Sequence, residues 1–286
     1  METAWILLRD VVPALSSKLS DRLGLAAAFP AAFAVPCLSE FKIIDILHHC
    51  CDRGVVTGFA VFTKRPYLIG KKEVRAYNNY ALKTACQNGH AEVVRLLAAP
   101  PFSLGQKDAR GDSSLALRMA CCNGHTDIVR MLAAPPFSLG QEDARAYNND
   151  ALRLACHFGH AEVVRLLAAP PFSLGQKDAR TDDNDALCKA CKNGHAEVVK
   201  LLAAPPFSLG QEDARADDNE ALCMACKNGH AEVVKLLAAR PFSLGQEDAR
   251  DRNNYALRKA CKNGHAEVVR LLAAPPFSLK QGNFKT

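Results

Sequence analysis

The sequence predicts an all-α solenoid of helix-turn-helix repeats with long inter-repeat loops, and three observations carry that prediction. The hexapeptide Pro-Phe-Ser-Leu-Gly-Gln begins at Pro101, Pro136, Pro171, Pro206 and Pro241, always 35 residues apart, and returns at Pro276 as Pro-Phe-Ser-Leu-Lys-Gln. An Ala-Cys pair keeps the same period, placing cysteine at 86, 121, 156, 191, 226 and 261. Between these markers each period holds two short stretches with apolar residues at helical spacing. A length of 286 residues would otherwise suggest about two globular domains. Repetition at this period instead implies an array in which each unit is buried by its neighbours.

In chain order, residues 1–40 come first and are the least regular part. Leu23 to Pro36 is apolar but spans only 14 residues and contains two prolines, too short for a membrane helix of about 20 residues. Glu2, Asp10 and Asp21 alternate with Arg9, Lys18 and Arg22, unlike the basic start of a secretory signal. The segment reads as helices packing onto the capping repeat that follows, with a targeting or membrane-interacting element and a partner-recruiting element as alternatives. Residues 41–75 read as a degenerate capping repeat, because Cys51, Gly54, Pro66, Gly70 and Arg75 fall one period before Cys86, Gly89, Pro101, Gly105 and Arg110. The end of a stack needs such a unit with a polar outer face. Six repeats follow over 76–110, 111–145, 146–180, 181–215, 216–250 and 251–286. No capping unit follows Val268, Val269 and Leu272, so that end is expected to fray, to dock on something, or to belong to a longer product.

Repeat 216–250 shows how one unit forms. Asn219 is placed to cap the first helix through its side-chain oxygen, and Glu220 complements the helix dipole. Leu222, Ala225 and Cys226 form one apolar face, and Asn228-Gly229 ends the helix. His230 opens a second helix with Val233, Val234 and Leu237 as its buried stripe, and Glu232 with Lys235 as an exposed pair. Pro241 stops it by forcing the preceding residue out of helical space. The rest of the unit reads as loop, with its Phe and Leu forming a second apolar ladder. Helices of about nine to eleven residues do not persist alone, so stacking is compulsory.

The pattern Ala-Leu-x-x-Ala-Cys-x-Asn-Gly-His-Ala-Glu-Val-Val-Arg/Lys-Leu-Leu, present at 81–97 and 186–202, resembles the ankyrin repeat and recurs over about three quarters of the chain. The family's Thr-Pro-Leu-His opening is absent, Tyr80-Ala81-Leu82-Lys83 standing in its place. The loop is also about two residues longer than usual for the family, which argues against a regular β-hairpin. The resemblance implies a concave groove, lined by first helices and loop tips, that binds a partner polypeptide.

Comparing the copies with one another locates the residues of that groove. The tips carry Tyr77, Asp112, Tyr147, Asp182, Asp217 and Arg252, and the first helical positions carry Tyr80, Asp150, Asp185, Glu220 and Tyr255. One turn on stand Lys83, Arg118, Arg153 and Arg258, and a further turn adds Lys192, Lys227 and Lys262. Positions four apart share a helix face, so acidic and tyrosine-bearing tips are expected above a basic floor. That pattern suits a polypeptide of mixed charge, although drift of exposed positions after duplication would also vary them.

Net charge is +6, unevenly spread: 181–215 and 216–250 are each −2 and 251–286 is +5. A nucleic-acid binder should show one continuous basic stripe, which the acidic tips interrupt, so neither nucleic acid nor membrane is the expected partner. The periodic cysteines read as a small buried position. Cys188 with Cys191 and Cys223 with Cys226 have CxxC spacing, and His48-His49-Cys50-Cys51 is metal-like in letters. Each lies within one helix, and no metal or other cofactor is predicted. Unpaired core thiols fit an intracellular, reducing setting, with the cytoplasm as the first choice. Every His, Cys and Glu able to do catalysis recurs with the repeat, as scaffold residues do, so no enzyme is expected. The reading is a monomeric protein-interaction adaptor. The alternatives are a nucleic-acid binder and a passive spacer or expanded array with no dedicated ligand.

Overall fold

The computed structural model describes residues 40–56, 59 and 69–279, and the reading of residues 1–40 falls outside them except for Glu40. Among the described residues there are 17 helices and no strands, so the fold is an all-α repeat solenoid and no β-hairpin sheet joins the repeats. The chain divides into two compact units, residues 1–139 and 140–286.

The first unit opens with a helix over Glu40–Arg53, whose Leu47, Cys50 and Cys51 are buried. Two helix pairs follow, Ala76–Gln87 with Ala91–Ala98 and Gly111–Cys122 with Thr126–Ala133. The second unit repeats the pairing as Ala146–Phe158 with Ala161–Ala168 and Thr181–Lys192 with Ala196–Ala203. It continues through Gln211–Lys227 with Ala231–Ala238 and Gln246–Lys262 with Ala266–Ala273.

The second helices are eight residues long, shorter than the spacing predicts, and their ends follow from sequence. Gly194 takes φ +77 at the start of Gly-His, and Ala204, preceding proline, is extended at ψ 160. Val198, Val199 and Leu202 are fully buried. The loop then returns beneath the pair: Phe207 and Leu209 are buried, and the Leu209 N–H donates to the Leu202 carbonyl at 2.9 Å. Phe102, Phe137, Phe172 and Phe242 are equally buried, so the expected apolar ladder forms within each unit. Each such side chain contributes about 1.5–3 kcal/mol only when covered, which a single hairpin cannot arrange.

Two features depart from the sequence reading. The loop contains a one-turn helix, such as Gln176–Ala179, because an aspartate at its third position accepts from the N–H of the glycine before it, Gly175 to Asp178 at 3.0 Å. The residues expected to cap the first helices instead form a left-handed turn. Asp217, Asp218 and Asn219 have φ 48, 52 and 59, and the corresponding three residues behave alike in every copy. In the first unit the turn is closed by the Asn79 N–H donating to the Arg75 carbonyl at 3.1 Å. Asn and Asp tolerate this region better than other L residues, which explains their abundance at these tips. The Asn219 amide donates not to its own helix but to Asp251 of the next repeat, at 2.9 Å.

Candidate functional site

Bonds between consecutive repeats determine which polar side chains remain free for a partner. Three such bonds recur. An arginine at the end of one repeat clasps the buried aspartate 33 residues later: Arg75 to Asp108 at 2.5 Å in the first unit, and Arg145 to Asp178, Arg180 to Asp213 and Arg215 to Asp248 at 2.6–2.7 Å in the second. Burial alone would raise the Asp108 carboxyl, but the Arg75 guanidinium and the Gly105 N–H outweigh it and hold its pKa below the usual value. The histidine opening each second helix donates Nε2–H to a carbonyl of the preceding repeat, His125 to Gln87 and His195 to His157, both at 2.9 Å. Its ring lies over that repeat's left-handed glycine, Gly89 or Gly159. Asn228 and Asn263 donate to the same carbonyls as the histidines beside them, Lys192 O and Lys227 O, at 2.7 Å. The histidines are therefore scaffold, as their period suggested.

The predicted groove residues sort into two groups. In the first unit Tyr77 and Tyr80 are 62% and 43% exposed, and both rings lean on His48, with centroids 5.5 and 4.6 Å away. Lys83 reaches the next tip and pairs with Asp112, which Asn78 also contacts; Arg118 is half-buried on the same face. In the second unit Tyr147 is 69% exposed. Arg153 bridges Asp182 and Asp185 at 2.6 and 2.7 Å, and Lys189 adds a contact to Asp185 at 2.8 Å. Arg252 holds Asp218 and Glu220 at 3.3 and 3.2 Å, with Asp217 at 3.8 Å. Tyr255 lies beneath Lys259, 5.2 Å from the ring centroid. Asp150 is half-buried and Arg258 is exposed.

The basic floor is thus partly consumed: Lys83 and Arg153 neutralise tip carboxylates of the following repeat. Lys192, Lys227 and Lys262 form no ion pair among the described residues. They stand at the far end of the first helices from the tips, so Thr181–Lys192 and Gln211–Lys227 each present acidic side chains at the tip and a lysine at the C-terminal end.

The cysteines have little reactive character. Cys86, Cys121, Cys156, Cys191 and Cys226 are fully buried, whereas Cys261, expected to match them, is exposed. Burial pushes the Cys188 thiol up to about 12 and Cys223 up to about 11. Cys223 is buried, and the Arg252 charge opposes the rise of its thiol. Among the described residues no three His, Cys, Asp or Glu side chains gather as a metal site. No helix there is long and apolar enough to cross a membrane.

Sequence reasoning passed over one exposed residue. Phe158 is 48% exposed and stands where the other copies have Asn88, Asn123, Asn193, Asn228 and Asn263. Comparing the copies at that turn, rather than only along the first helix, would have found it.

A search of curated proteins returned no match. The family model for ankyrin repeats in three copies matches residues 47–143, 85–178, 119–213, 152–248 and 187–282, which together run over 47–282. With the paired helices, the Gly-His turns and the stacking bonds, this chain belongs to the ankyrin repeat family.

Proposed function

We propose that the chain is a non-catalytic, monomeric, intracellular adaptor that binds a partner polypeptide along the first-helix and tip face of its repeats, with residues 41–75 as the cap of the array. Ankyrin repeats generally mediate protein–protein interaction and are generally non-catalytic. The observation that carries the reading is where the copies differ. Positions in the core, the clasp and the histidine ladder stay fixed, while the exposed tip and first-helix positions change from tyrosine to acid to base. Large exposed tyrosines such as Tyr77 and Tyr147 suit a protein interface, where aromatic anchors supply most of the binding energy.

Affinity capture from a cell extract at physiological salt with nuclease present tests this. The wild type is compared with a variant carrying Tyr77→Ser, Tyr147→Ser and Arg258→Glu, all at exposed positions. Retention of a protein by the wild type and its loss from the folded variant support the reading. Equal recovery from both contradicts it. A partner released by nuclease points to nucleic acid instead.

A further inference from the structure

The turn edge of the second unit combines an exposed aromatic side chain with three unmatched lysines. Phe158 gives up the bond its asparagine counterparts make: Asn193, Asn228 and Asn263 each donate to a carbonyl of the preceding repeat at 2.7–2.9 Å. In exchange it forms a ring platform, edge-on to His157 at 4.6 Å and stacked with His160 at 6.3 Å. Asn193 fixes His157 by donating to its Nδ1 at 3.1 Å and to its carbonyl at 2.9 Å. Burial, with Lys189 and Lys192 nearby, holds the His157 pKa below its usual value.

Lys192, Lys227 and Lys262 continue the same edge. The Lys192 carbonyl accepts from His230 at 2.9 Å, and the Lys227 carbonyl accepts from His265 at 2.9 Å, so these turns are stitched side by side. No Asp or Glu occurs in 157–161, 192–196, 227–231 or 262–266. The glutamates that follow are engaged on the second helices, Glu197 by Arg165 at 2.5 Å and Glu267 by Lys235 at 3.2 Å. None of these three lysines forms an ion pair among the described residues, whereas Arg153, Arg215 and Lys235 of the same unit do.

We propose that this edge docks an acidic polypeptide segment carrying one aliphatic side chain, the aliphatic group resting on Phe158 and carboxylates meeting Lys192, Lys227 and Lys262. Successive packed helices lie about 8–10 Å apart, close to three residues of extended chain at about 3.3 Å each. The fitting segment has its aliphatic residue first and an acidic residue at roughly every third position after it. A nucleic acid fits less well: its charge is continuous, and 181–215 and 216–250 each carry a net −2, with Asp182, Asp183 and Asp185, and Asp217, Asp218 and Glu220, at the other end of the same helices. The inference rests on the adaptor reading but uses a different end of the first helices, so the two are tested apart.

The probe is a fluorescein-labelled extended peptide with one leucine and glutamates at that spacing. It is titrated by anisotropy against the full chain at low and at physiological salt. Its glutamine counterpart and a single-stranded oligothymidine of similar length serve as comparisons. Phe158→Asn installs the residue five other copies carry, so the fold is retained. It is expected to weaken peptide binding about tenfold, the scale of losing an aromatic anchor. Lys192→Gln with Lys227→Gln should reduce the salt dependence, leaving only the Lys262 contact, and Asp217→Asn with Glu220→Gln at the tips should change nothing. The proposal is overturned by absent peptide binding, by unchanged affinity in Phe158→Asn, or by tighter binding of the oligothymidine. Loss of peptide binding from the tip variant alone would also overturn it, moving the contact to the tip face and leaving the adaptor reading intact.

Discussion

Replacing Gly194 by alanine places a Cβ 2.5 Å from His230 Nδ1 and 2.8 Å from its Cε1, at a backbone φ of +77. Two costs follow. A non-glycine residue in the left-handed region costs about 1–2 kcal/mol, offset by about 0.4–1 kcal/mol from a less flexible unfolded chain. The imidazole must also move, and its Nε2 bond to the Lys192 carbonyl at 2.9 Å is worth about 0.5–1.5 kcal/mol. Gly194→Ala should therefore destabilise the array by roughly 2 kcal/mol. Gly264→Ala, where no atom lies within 4 Å of the added Cβ and φ is +76, should pay only the backbone cost. A double-mutant cycle of Gly194→Ala with His230→Ala, read from urea unfolding, isolates the inter-repeat contact. The expected coupling is about 1 kcal/mol, because removing the ring first relieves the clash. Strict additivity would refute the claim that this histidine clamps one repeat onto the glycine of the last.

Three further outcomes follow from the same bonds. Asp213→Ala, which removes the acceptor for Arg180 and for the Gly210 N–H, should cost about 1–2 kcal/mol in urea unfolding, because Arg180 is half-exposed and regains water. Asp108 has a depressed native pKa, so its contribution is complete above the unfolded carboxylate value of about 3.9 and is lost as pH falls through the lower native value. The stability gap between wild type and Asp108→Asn should hold constant down to about pH 4 and close below it. Pulsed iodoacetamide labelling read by mass spectrometry should modify Cys261 before Cys86, Cys121, Cys156, Cys191 or Cys226, since those five are fully buried and Cys261 is exposed.

Much of the fold is legible in the residues because the array states each rule six times. Val198, Val199 and Leu202 announce a buried helical stripe by spacing alone, and Gly-His and Ala-Pro mark the ends of that helix. The tips were harder to read. Asn219 has the chemistry of an N-cap and of a left-handed residue alike, and only the fixed loop length decides that three consecutive residues turn left-handed. Asp213 sits in what reads as loop, and nothing local reveals that Arg180, 33 residues earlier, buries it. The candidate surface was legible by type and position, but its electrostatics were not. Arg153 and Lys83 lie on the predicted face, yet their charges are spent on the next tip, a pairing set by the offset between stacked helices. Phe158 stood outside the pattern being followed, in a turn where each of the other copies spends an asparagine on the scaffold.

The adaptor reading is tested most directly by site-specific photo-crosslinking in an extract at physiological salt after nuclease treatment. A benzophenone side chain is placed singly at Tyr77, Tyr147, Lys192 and Lys227 on the first-helix side, and at Arg165, Lys200 and Lys235 on the second helices, all solvent-accessible positions. The prediction is one protein species captured from several first-helix positions and absent from the second-helix positions. Capture only from the second helices, or no shared species from any first-helix position, would contradict it.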